Sequence, residues 1–89
     1  MMYPFITLDD NTQIVHSELL PSGQVKVCVE KPVHLGFNSA TCILPTYEWS
    51  EVEGFSKDDL RYYESIIADA AHLIYRYAET GGFLNAEGF

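Results

Sequence analysis

The hydrophobic periodicity of this chain changes once, between Pro45 and Ser56, and no other feature constrains its fold as much. Before the change, apolar residues alternate in short runs broken by turn chemistry, the period of half-buried strands. Val25, Val27 and Val29 alternate strictly. Asp9-Asp10-Asn11-Thr12 and Pro21-Ser22-Gly23 are turn signals, because Asx side chains bond their own backbone and Gly accepts a left-handed conformation. Strands are predicted at about 4–8, 13–20, 24–31 and 39–44. After the change, Leu60, Tyr63, Ile67, Ala70, Ile74 and Tyr77 recur at spacings of three and four, which predicts a helix over about 57–80. Ser56 suits its N-cap, and Asp58 and Asp59 suit the positive end of its dipole. Gly81-Gly82 ends it, leaving a short tail, 81–89. The expectation is a single α+β domain: a four-stranded antiparallel meander and one long C-terminal helix packed on one sheet face.

Turn geometry then assigns neighbours. A loop at Pro21-Ser22-Gly23 puts Leu20 opposite Gln24, and so Val15 opposite Val29 and Glu18 opposite Lys26. A two-residue turn at Asp10-Asn11 adds Ile6 to the face of Val15. A symmetric loop about Leu35 sets Ile43 opposite Val27. These registers place Ile6, Val15, Val27 and Ile43 on the face the helix covers. They also place Phe5, His16, Cys28 and Cys42 in one row on the other face, with neighbouring Cβ atoms ~5 Å apart.

Two thiols and an imidazole are zinc ligands by type, and a His beside a Cys can generate a thiolate nucleophile. Against this, no CxxC or HxxxH spacing occurs and no fourth ligand is evident. Cysteine is also a common small buried residue. The expectation is therefore no metal, no cofactor and no catalytic residue, with His16, Cys28 and Cys42 the only candidates. A metal- or thiol-dependent enzyme built on that row is the alternative.

The helix is too apolar for one sheet. Its apolar residues fill about half the circumference, whereas a sheet face needs ~100°. It also spans ~36 Å, against ~20–23 Å for strands of six or seven residues. The flank holding Tyr62, Ile66, Leu73 and Tyr77 therefore needs a cover: the tail through Phe83, Leu84 and Phe89, the loop about Trp49 and Phe55, or a second copy of the chain. Trp49 stands among Glu48, Glu51 and Glu53. It reads equally as an anchor for a basic partner and as a plug between sheet and helix. Arg61, Ser65, Asp69, His72 and Arg76 form a polar stripe, the solvated side of the helix.

Charge narrows the function. Thirteen acids against five bases give a net charge of -8 in 89 residues, unsuited to nucleic-acid phosphates or an anionic membrane surface. No apolar run approaches the ~18 residues of a membrane span. The start, Met1-Met2-Tyr3-Pro4, lacks signal-peptide character, and two cysteines do not make a disulfide scaffold. A cytoplasmic protein with free thiols is expected. Nucleotide-binding glycine motifs, nucleophile elbows and paired carboxylates in apolar settings do not occur.

The stretches Tyr3-Pro4-Phe5-Ile6-Thr7-Leu8-Asp9-Asp10, Ile14-Val15-His16-Ser17-Glu18 and Ala71-His72-Leu73-Ile74 resemble a family of short, uncharacterised bacterial proteins found in gut bacteria and on mobile elements. That resemblance implies a bacterial cytoplasmic setting and a role in element maintenance or defence, and it carries over no functional residue. The expected function is a small acidic, non-enzymatic protein–protein interaction module, a homodimer using Tyr62, Ile66, Leu73, Tyr77 and Trp49. An acidic inhibitor or antitoxin that blocks a basic, nucleic-acid-handling partner is the second expectation.

Overall fold

The structure, a computed structural model, describes residues 2–80. Five strands precede one helix: β1 (Met2–Thr7), β2 (Gln13–Ser17), β3 (Val25–Val33), β4 (Gly36–Leu44), β5 (Glu48–Glu53) and α1 (Lys57–Glu79). The strands form one antiparallel sheet in sequence order, a meander. The fold class is as expected, with five strands rather than four. β5 escapes the alternation rule because a bulge interrupts it. Its pairing with β4 shifts between Ser39 and Thr41, and Glu51 adopts a left-handed φ of 53°. Trp49 and Val52 therefore stand three apart instead of two. The tail with Phe83, Leu84 and Phe89 lies outside the described residues.

Tyr63, Ile67, Ile74 and Ala78 of α1 join Ile14, Val25, Val27, Val29, Cys42 and Leu44 in one buried cluster. The helix comes nearest to β2 and β3, and side chains rather than close backbone approach make most of the contact. The N-terminus of α1 is closed by a reciprocal pair: the Asp59 amide donates to Ser56 Oγ at 3.1 Å and the Ser56 amide to Asp59 Oδ2 at 2.9 Å. Near its other end the Leu19 amide donates to the Ala78 carbonyl at 3.2 Å. α1 thus runs back along the sheet from the end where β3 and β5 finish.

All three registers differ from the expected ones by one residue, and Ile6, expected opposite Val15, pairs with Ile14. Leu20 does face Gln24 at the loop, with Leu20 N donating to Gln24 O at 2.9 Å. Within the strands, however, Val15 pairs with Cys28 and His16 with Val27. The cause is Ser17, whose hydroxyl accepts the Lys26 amide at 2.9 Å and donates to the Glu18 carbonyl at 2.8 Å. A side chain takes the place of a ladder partner, β2 stops there, and the predicted strand over 18–20 does not form. At the other hairpin the turn is the two residues His34-Leu35, with Leu35 at φ 65°, so Val27 faces Cys42 and not Ile43.

A slip of one exchanges faces. Of Ile6, Val15, Val27 and Ile43, Val27 alone is in the buried core. Val15 and Ile43 belong to the opposite face and are half-buried. Ile6 is displaced by a bulge between Pro4 and Ile6, leaving Phe5 packed against the core and Ile6 exposed.

Candidate interaction surface

The expected row of Phe5, His16, Cys28 and Cys42 is not formed. His16 and Cys42 lie on the helix side, flanking Val27, while Cys28 pairs with Thr41 on the outer face. The two sulfurs therefore occupy opposite sides of the sheet, and the geometry behind the metal or thiol reading is absent. Both thiols are free. Among the described residues no three His, Cys, Asp or Glu side chains gather in a way that could hold a metal ion.

His16 is fully buried (0 % exposed). Its Nδ1 lies 2.8 Å from the Ser17 carbonyl, and since a carbonyl only accepts, Nδ1 carries the hydrogen. The rings of Tyr3 and Phe5 stand 5.8 and 6.4 Å from the imidazole. It behaves as a packed core residue. Cys42 is equally buried, and desolvation first, then the carboxylate of Glu64, pushes its thiol up to about 12. A thiol so held has almost no thiolate at neutral pH. Cys28 Sγ lies 3.6 Å from Thr41 Oγ1 on the open face.

Trp49 is a plug rather than a free anchor. It packs against the buried cluster, and its Nε1 donates to Glu64 Oε1 of α1 at 3.0 Å. No sequence spacing signals this pair, since the partners are fifteen residues apart on different elements. Glu48, Glu51 and Glu53 remain exposed along β5, an edge strand of the sheet. Such charges discourage pairing with another chain's edge. Pro4 and the β1 bulge guard the opposite edge similarly.

The expected helix flank is partly covered by β1. Tyr77 packs on Phe5 with ring centroids 6.1 Å apart, and Ile66 packs against the core. Leu73 is half-buried, and Tyr62 remains 59 % exposed. Tyr62 borders a hollow of ≈ 440 Å³ with Ile6, Thr7, Leu8, Asp9 and Asp10. The polar stripe is solvated as expected, and Arg61 Nη1 lies 3.8 Å from Asp58 Oδ1.

A more prominent apolar surface lies where the sequence drew no attention. β3 and β4 run to nine residues each. Pairing with β2 ends at Glu30, and pairing with β5 ends at Ser39. Residues 31–38 therefore continue as a two-stranded arm whose base is held to the β1–β2 turn by Lys31 and Asp10, with Pro32 and Phe37 bordering a groove shared with Thr7, Asn11 and Gln13. Leu35 at its tip is 93 % exposed and Phe37 67 % exposed, with Val33 also exposed. Leu35 combines that exposure with a left-handed backbone, where Gly or Asn would be less strained. The run from Lys31 through Tyr47 contains no acid, although thirteen occur elsewhere. That local charge bias is the sequence signal that could have marked the arm.

No family model, curated protein or solved structure matches the chain. Among the described residues no helix is long and apolar enough to cross a membrane.

Proposed function

We propose that this protein is a small acidic, non-enzymatic protein–protein interaction module whose contact element is the β3–β4 arm. The observation that carries the reading is Leu35, a large apolar side chain almost wholly in water on a strained backbone. Neither property helps the isolated fold, and backbone outliers that the core does not require are motives for a functional hypothesis. Phe37, beside Pro32 on the outer face of the hairpin, and Val33, on its helix side, add apolar surface to either side of the tip, and exposed apolar groups of this kind mark interaction sites. A photo-crosslinking residue at position 35 tests it, with one at Ser65 on the solvated helix stripe as control. Irradiated cells should yield protein adducts from position 35 and not from 65. Absence of adducts from 35, or equal adducts from both, sinks the reading.

A basic partner, the target expected of an inhibitor or antitoxin, would be favoured by Glu48, Glu51 and Glu53 on the open edge of β5. Salt separates the two. Contact through the arm is apolar and persists in ~1 M salt, where the screening length falls to ~3 Å, while contact through exposed glutamates fades.

A further inference from the structure

We propose that the arm's partner is a second copy of this chain, and that its tip enters the hollow bordered by Ile6, Leu8 and Tyr62 in a reciprocal, two-fold dimer. This inference rests on the interaction reading above and deepens it by naming the partner.

Three observations carry it. The first is chemical fit. The hollow of ≈ 440 Å³ is bordered by Ile6, 42 % exposed, and Tyr62, together with Leu8, and it carries Asp9 and Asp10. The tip presents Leu35 and Phe37 beside His34. Leu35 thus meets Ile6 and Tyr62 in a hollow lined at least as much by polar as by apolar groups, and His34 comes to a rim where Asp9 stands beside Asp10, the latter already held by Lys31 and the Thr12 amide.

The second is charge. Each copy carries -8, so acid-bearing surfaces repel one another when two copies meet. The stretch from Lys31 to Tyr47 has no acid, and the arm can approach a second acidic body without that opposition. Both sheet edges resist self-pairing, β5 by its glutamates and β1 by Pro4 and a bulge.

The third is placement. Lys31 Nζ lies 3.6 Å from Asp10 Oδ2 and ties the base of the arm to the rim of its own hollow. The tip stands four residues further along the hairpin, ~13 Å at strand rise, and so projects past that hollow. Arm and hollow occupy the same end of the molecule. In the proposed pair the two copies meet end to end and each arm reaches its partner's hollow, so that both contacts lie about one two-fold axis.

Sedimentation of the full chain tests this. The wild type should associate with a dissociation constant on the order of 10 μM, as suits a small interface. Leu35→Gly with Phe37→Ser should weaken association by about tenfold or more, with an unfolding midpoint that confirms a folded domain. Tyr62→Ala, at the hollow, should weaken it too. Mixed together, the arm variant supplies an intact hollow and the Tyr62→Ala variant an intact arm, so the mixture should associate more tightly than the arm variant alone. A mixture no tighter would show that tip meets tip and overturn the docking. A monomeric wild type at ~200 μM, far above the expected constant, would overturn self-association altogether. Adducts from position 35 to a different protein would still support the interaction reading in that case, so the two failures are distinguishable.

Discussion

Cys42 and Cys28 differ in type of environment, not only in exposure. The Cys42 thiol, held up to about 12 by burial and by Glu64, is closed to alkylation while the domain is folded. At pH 8 one thiol per chain should react with a small disulfide reagent, Cys28, and the second only after denaturant is added. Mass mapping that finds Cys42 modified first would contradict this placement. The same group makes stability fall in alkali. Its folded value exceeds the ordinary thiol value of 9.0, so the folded state retains a proton that the unfolded state loses. The contribution is complete below pH 9 and is lost as pH rises through about 12. Cys42→Ala should flatten that slope in denaturant titrations at pH 8 to 11. Val27 lies at the centre of the cluster and is fully buried. Val27→Asp places an unpaired charge there, at a cost of several kcal/mol. The variant should show no cooperative transition by circular dichroism.

At the scale of elements, two side chains do what backbone ladders usually do. Ser17 ends β2 by taking the Lys26 amide. Ser17→Ala should speed hydrogen exchange at Lys26 and cost about 1–2 kcal/mol, the penalty of an unmade hydrogen bond. Unchanged exchange at Lys26 would mean that the hydroxyl does not set the register. Trp49 joins β5 to α1 through Glu64. Trp49→Phe keeps most of the packing and removes the donor, so about 1–2 kcal/mol should be lost. In the Glu64→Leu background the same change should cost much less, since no carboxylate then waits for a donor. Additive losses in that double-mutant cycle would show that the indole acts through packing alone. The start of α1 was legible because capping is local: Ser56 and Asp59 close it through three residues of sequence. β5 was not legible, because a bulge at Glu51 removes the alternation by which a strand is recognised.

For the whole molecule, the relevant division is between the body, which folds around Val27, and the arm, which contributes nothing to that core. Replacing Leu35 and Phe37 by Gly and Ser should therefore leave stability within about 1 kcal/mol of the wild type, the range of surface substitutions. Gly at 35 also relieves a left-handed conformation. A large drop in the unfolding midpoint would place the arm inside the cooperative unit.

Apart from β5, element type, order and most turn positions are properties of the sequence alone, because they depend on residues within a few positions of one another. Val25, Val27 and Val29 declared the buried face of β3 in the same way. The faces of β2 and β4 did not follow, since each hangs on a count of one residue in a turn, and a strand's side chains change sides with every residue. Val15 and Ile43 looked like core by hydrophobicity, yet His16 and Cys42 occupy the core instead. Two features decided this: the Ser17 hydroxyl on the Lys26 amide nine residues away, and a left-handed Leu35, unusual for a bulky residue, closing its hairpin in two residues. The choice is made over the whole sheet, where Val27 lies between His16 and Cys42 and α1 closes over the cluster.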